Sequence, residues 1–146
     1  MQVNGSTRDT EFRNVTQLFA KLQAGDVAKV GTVQVAVVNP PPGGGTSAPA
    51  MLEADQPAPT ISSFEPEVLS RGASDLKILD AGFVKESVVT LNGRAKQSSF
   101  VTVVSASELT VKLAADDTGP GLTSMEVEIS NPLPGGGQAK KEIELK

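Results

Sequence analysis

The sequence predicts an all-β chain: a β-sandwich of about seven strands, preceded by a partial copy of the same module. Three observations predict it. First, Val35-Ala36-Val37-Val38-Asn39-Pro40-Pro41-Pro42-Gly43-Gly44-Gly45 recurs as Val127-Glu128-Ile129-Ser130-Asn131-Pro132-Leu133-Pro134-Gly135-Gly136-Gly137. A recurring supersecondary unit marks an array of like modules. Second, apolar residues are spaced by two wherever they cluster, which is the period of a half-buried strand. Third, 14 Gly and 10 Pro supply the chain breaks that short strands need.

The elements follow in order from these anchors. Asn4-Gly5 and Asn92-Gly93 read as turns, the second of the I′ hairpin kind, each after an apolar residue, Val3 and Leu91. Between the anchors Phe12 matches Phe100, with a short insertion after Phe100. Leu18, Ala20 and Leu22 match Leu109, Val111 and Leu113; Val33, Val35 and Val37 match Met125, Val127 and Ile129. The residues between are polar in the second copy: Thr110, Lys112, Glu126, Glu128 and Ser130. Each copy then stops at Asn-Pro and enters a Gly-rich turn. The turn residues are Asn39, Pro40, Gly43, Gly44 and Gly45 in the first copy, and Asn131, Pro132, Gly135, Gly136 and Gly137 in the second. Met51-Leu52-Glu53 follows as the last strand of the first copy. Lys141-Glu142-Ile143-Glu144-Leu145-Lys146 closes the second with clean alternation, which puts Ile143 and Leu145 inward and a Lys/Glu face outward to protect an edge.

Residues 57–89 have no counterpart in the first copy. Pro57, Pro59 and Pro66 bracket an edge strand that carries Ile61 and Phe64. Leu76-Lys77-Ile78-Leu79 and Ser87-Val88-Val89-Thr90-Leu91 are two further strands, with a bend at Ala81-Gly82-Phe83. The predicted organisation is a C-terminal half-module at 1–54, a linker at 55–57 and a complete module at 58–146. Its core comprises Val89, Leu91, Leu109, Val111, Leu113, Val127, Ile129, Ile143 and Leu145, closed by Ile61, Phe64, Ile78 and Phe83. The half-module is expected to expose Leu18, Leu22, Val33, Val35 and Val37. Two such faces from different chains could cover each other, which makes residues 1–54 a candidate homodimer surface; the alternatives are a half-module that stays frayed or one that docks on the second module.

The ordered set of segments resembles an IPT/TIG domain. It comprises Pro59-Thr-Ile-Ser-Ser-Phe-Glu-Pro66, Leu76-Lys-Ile-Leu-Asp-Ala-Gly-Phe83, Ser87-Val-Val-Thr-Leu-Asn-Gly93, Leu109-Thr-Val-Lys-Leu113 and 127–137. The resemblance covers 57–146 and, as a truncated copy, 1–54. Asp80 stands where that family often has Gly. The resemblance implies an immunoglobulin-like sandwich of the tandem bacterial type. It also implies an extracellular or cell-surface setting and a role in spacing or protein contact. It brings no catalytic residues. The alternative it leaves is a module that binds extracellular polysaccharide or a protein ligand, as in adhesins or accessory domains of carbohydrate-active enzymes.

Composition narrows the chemistry. With no Cys there are no disulfides, thiolate metal sites or Cys nucleophiles. With no His the commonest general base near neutral pH is missing. A net charge of -4 and only 3% aromatics argue against nucleic acid, because backbone neutralisation and base stacking are both weak. No Trp or Tyr is available to stack on sugar rings. No apolar stretch is long enough to span a membrane, and no signal peptide opens this segment. The Gly triplets lack the spacing of a phosphate loop and precede strands, not helices. Asp116, Asp117 and Glu108, or Asp80 and Glu86, are the candidate cation ligands, but hard cations need six or so converging oxygens. Glu126, Glu128, Glu142 and Glu144 alternate with apolar residues and are expected to face solvent. The triplets Asn4-Gly-Ser6 and Asn14-Val-Thr16 match the glycosylation pattern, and Asn4-Gly5 is better read as a turn. The expectation is a non-enzymatic module with no catalytic residue, metal or cofactor.

Overall fold

A computed structural model describes every residue of the chain except Ala28. The chain is all-β, as the sequence predicts. It divides into two compact units, Met1–Asp55 and Gln56–Lys146.

Unit 2 holds nine strands: β9 (Thr60–Glu65), β10 (Val68–Leu69), β11 (Asp75–Ala81), β12 (Val88–Leu91), β13 (Arg94–Ala95), β14 (Val101–Ser105), β15 (Glu108–Lys112), β16 (Ser124–Asn131) and β17 (Gly137–Leu145). Two of them, β10 and β13, are only two residues long and escape a pattern of period two. One sheet has the order β10-β17-β16-β12-β13 and the other β14-β15-β11-β9. A single apolar core joins both sheets. It forms because each strand alternates. On β16, Met125, Val127 and Ile129 are fully buried while the residues between them are half-buried. Val89 and Leu91 flank a half-buried Thr90, Leu109 and Val111 a half-buried Thr110, and Leu76 and Ile78 an exposed Lys77. Phe64 and Phe83 are buried with them. Ile61 and Leu113, expected in the core, are only half-buried at its margin; Leu69, Leu76 and Met125 complete it.

Two expectations for unit 2 need correction. The closing strand begins at Gly137, not Lys141, and is not an edge along its whole length. Val68 and Leu69 of β10 pair with Glu144 and Leu145 in parallel. The linker is also shorter. Gln56 donates its N–H to the Pro134 carbonyl (2.9 Å) and accepts from the Gly136 N–H (2.8 Å), so it is bonded into unit 2.

Unit 1 holds β1 (Gln2–Val3), β2 (Ser6–Thr7), β3 (Thr10–Asn14), β4 (Gln17–Ala20), β5 (Gly31–Ala36), β6 (Val38–Asn39), β7 (Gly45–Thr46) and β8 (Ala50–Ala54). One sheet runs β2-β1-β5-β8; β3-β4 and β6-β7 are separate hairpins. Its buried core comprises Val3, Val33 and Ala54, with Val35 packed against them. Val33, expected on an open face, is therefore buried, because Val3 and Ala54 flank it from the neighbouring strands. Leu22 is exposed as expected, Leu18, Val35 and Val37 are half-buried, and further large apolar residues are open: Phe12 is 67% exposed, Phe19 57% and Leu52 46%.

Candidate interaction site

The hairpin turns are built alike in both units. Asn4 and Gly5 take φ of 48° and 79°, and Asn92 and Gly93 take 47° and 78°. Positive φ at both central residues is what a tight I′ hairpin demands, and Asn-Gly meets it at least steric cost. The Asn side chain has a second task. Asn4 Oδ1 accepts the Gln34 N–H at 2.9 Å, and Asn92 Oδ1 accepts the Glu126 N–H at 2.9 Å. The turn is thereby tied to the neighbouring strand. At the Gly-rich turns the chain doubles back on itself. A Cβ on Gly44 would lie 2.2 Å from the Asn39 carbonyl oxygen, and one on Gly136 would lie 2.5 Å from that of Asn131. Neither place has room for a side chain, and the obstacle is backbone.

Each unit also carries an ion pair that sequence reading missed. Arg8 donates from Nε to Asp26 Oδ2 at 2.8 Å and also bonds Oδ1 through Nη2. Lys96 bonds Asp117. In both, the carboxylate closes a short 3-10 turn from behind. Asp26 accepts the Gln23 N–H at 2.9 Å, and Asp117 accepts the Ala114 N–H at 2.7 Å. The signal was present in the sequence as opposite charges at matching places in the two units. Asp117, considered as a cation ligand, is committed to Lys96 and a backbone amide.

The Arg8 hydrogen bonds, then the Gln23 N–H, hold the Asp26 carboxyl down to a pKa of about 2, while burial opposes the shift. A folded-state value below the ordinary one adds stability above pH ~4 that fades as pH falls through the folded value. The stability difference between the wild type and Asp26→Asn in unit 1 should therefore be full at pH 6 and vanish near pH 2. Urea melts followed on unit 1 amide resonances would check this. A difference that persists unchanged at pH 2 would show that the charge on Asp26 is irrelevant.

Asn131, read from sequence as a turn residue, is a buried clamp. Its Oδ1 accepts from Ser87 Oγ at 2.6 Å, and its Nδ2 donates to the Pro57 carbonyl at 2.7 Å and the Gly82 carbonyl at 2.6 Å. Three separated segments meet on one amide. Pro57, expected in a free linker, is one of them. Asn39 holds the matching place in unit 1. It is exposed, and among the described residues its side chain makes no hydrogen bond.

Three further carboxylates lie near lysines. Lys140 lies 2.9 Å from Glu128 and 3.5 Å from Glu126. The hydrogen bond to Glu128 leads in raising the Lys140 pKa. Glu142 and Glu144 are exposed and Glu126 keeps 43% of its side chain open, as expected, while Glu128, at 18%, is largely covered where β17 lays Lys140 beside it. Glu108 lies 3.9 Å from Lys77. Asp116, Asp80 and Glu86 are exposed. Among the described residues no group of three or more acids converges as a cation would need. Asn14 is an Asx turn whose Oδ1 accepts from the Thr16 N–H (2.9 Å) and Oγ1 (2.8 Å).

The open surface lies in unit 1. An apolar groove of about 620 Å³ is lined by Met1, Phe12, Val15, Leu18 and Val37, with Asn14, Thr16, Gln17 and Asn39 at its polar margin. The β3-β4 hairpin forms one wall. Among the described residues β4 pairs with β3 alone, so its other edge is unpaired. Unpaired strand edges and contiguous apolar surface are the two features from which a β protein builds contacts. No protein family, curated protein or solved structure matches the chain.

Proposed function

We propose that the chain comprises two copies of one IPT/TIG-like module, the first partial, forming a non-catalytic spacing and protein-contact segment of a larger exported or cell-surface protein. The observation that carries this reading is the recurrence of the same polar ties. Asn4 to Gln34 and Asn92 to Glu126 are the same bond, and Arg8–Asp26 and Lys96–Asp117 are the same ion pair. Side chains with acid-base capacity hold loops and strands in place in both copies. The Asp26 carboxylate, bonded to a guanidinium and a backbone N–H, is stabilised in its ionised form and is a poor proton donor. What the fold offers a partner is sheet edge and apolar surface.

The test is a turnover panel of glycoside, ester and phosphoester substrates, run with and without divalent cations. The full chain is expected to give rates equal to buffer. Turnover that disappears with Asp117→Asn would overturn the non-catalytic reading. Retention on cellulose, chitin or xylan above that of a control protein would favour a polysaccharide-binding module instead.

A further inference from the structure

The groove of unit 1 has a filled counterpart in unit 2. Phe12 stands opposite Leu18, and Asn14 opposite Gln17, with a register shift between Phe12 and Asn14. Val103 stands opposite Leu109, and Ser105 opposite Glu108, with the same shift. Phe12 thus occupies the place of Val103, not of Phe100 as the sequence match suggested. Phe100 lies in a short 3-10 turn, Ser98–Phe100, on the far side of the insertion. By the same register Val15, Thr16 and Leu18 take the places of Ala106, Ser107 and Leu109, and Asn39, paired with Gly45 as Asn131 is with Gly137, takes the place of Asn131.

In unit 2 those places are covered by one segment, 78–83. Ile78 pairs with Leu109 across the β11–β15 ladder. The Asp80 N–H donates to the Ser107 carbonyl (3.2 Å) and the Phe83 N–H to the Ala106 carbonyl (3.0 Å). Asn131 donates to the Gly82 carbonyl, and Phe83 is buried in the core. In unit 1 the corresponding carbonyls of Val15 and Thr16 accept no hydrogen bond among the described residues.

We propose that this groove is a strand-acceptor site that takes an extended polypeptide segment with the pattern of residues 75–83: an acid, alternating apolar residues, then Gly-Phe. The segment pairs antiparallel with the free edge of β4, main chain to main chain, and seats its Phe between Phe12 and Val37. Charge supports the same register. Asp75 stands opposite Lys112, and Lys21 holds the place of Lys112 in unit 1. An acid at the start of the incoming strand therefore faces a cation. The folded unit 2 of a second chain is not the donor, because its β11 is paired on both sides, with β15 and β9.

The assignment rests on the two-copy reading above. The test separates the two. A synthetic peptide of residues 74–84 is titrated into the full chain, and amide resonances are followed. Saturable shifts are expected at 15–21 and 37–39. Replacing the peptide's Phe by Ala should weaken binding at least about tenfold, given the apolar area lost. Asn39→Ala, at an exposed side chain, should weaken it without unfolding unit 1. The proposal is overturned if no saturable shift occurs at millimolar peptide or if shifts are confined to 101–112. It is also overturned if the groove amides shift with protein concentration alone, which would make a second copy the occupant. Exchange protection of the Gln34 and Glu126 amides in the chain without peptide reports on the two-copy reading by itself.

Discussion

Ile78→Ala is expected to destabilise unit 2 by about 2–5 kcal/mol, the cost of a large apolar side chain removed from a packed core. Ile78 is fully buried on β11, which is flanked on both sides. It stands opposite Phe64 on β9 and Leu109 on β15. Neither neighbour can move into the vacancy without breaking its own ladder, so the cavity term is retained. Lys77, one residue earlier, points to the other face and makes only long, exposed ion pairs at 3.4 and 3.9 Å. Such pairs contribute little, and Lys77→Ala should cost under about 0.5 kcal/mol. Urea melts followed on unit 2 resonances check both. Equal sensitivity at 77 and 78 would mean that the register of β11 is wrong.

Asn131→Ala should cost unit 2 about 2–4 kcal/mol, while Asn39→Ala should cost unit 1 under about 0.5 kcal/mol. The two residues sit at the same step of the same motif. The difference lies in what surrounds them. Removing the Asn131 amide leaves the Pro57 and Gly82 carbonyls without that donor and Ser87 without its acceptor. Buried groups left unpaired lose more than the bond was worth, because water cannot replace the partner. Asn131→Asp should be as harmful, since it turns an acceptor toward two carbonyls. Nearly equal losses at 39 and 131 would remove the clamp from the account.

Much of this was legible because it is periodic or local. The spacing of two placed Val89, Leu91, Leu109, Val111, Val127 and Ile129 inside, and all six are buried. Asn-Gly announced both turns, and the I′ form at Asn92-Gly93, because so few residues tolerate two positive φ angles in succession. The candidate site was less legible. The sequence placed an open apolar surface within residues 1–54 but named Val33, which Val3 and Ala54 cover, and not Phe12, which lines the groove. Leu18 and Val37, also named, do line it. The sequence also matched Phe12 to Phe100 by residue type, whereas strand register pairs its place with Val103.

What the sequence by itself determined is the alternation of faces, the turn chemistry and the all-β class, since each depends on neighbours a few residues away. Only the tertiary structure decided which polar residues are structural. Arg8 and Asp26 are 18 residues apart, and Asn131 reaches back 74 residues to Pro57. The physical reason is that a hydrogen bond between distant residues leaves no periodicity in the chain. Its partners are chosen by where the folded strands happen to set them down, and the same Asn is a buried clamp in one unit and an exposed side chain in the other.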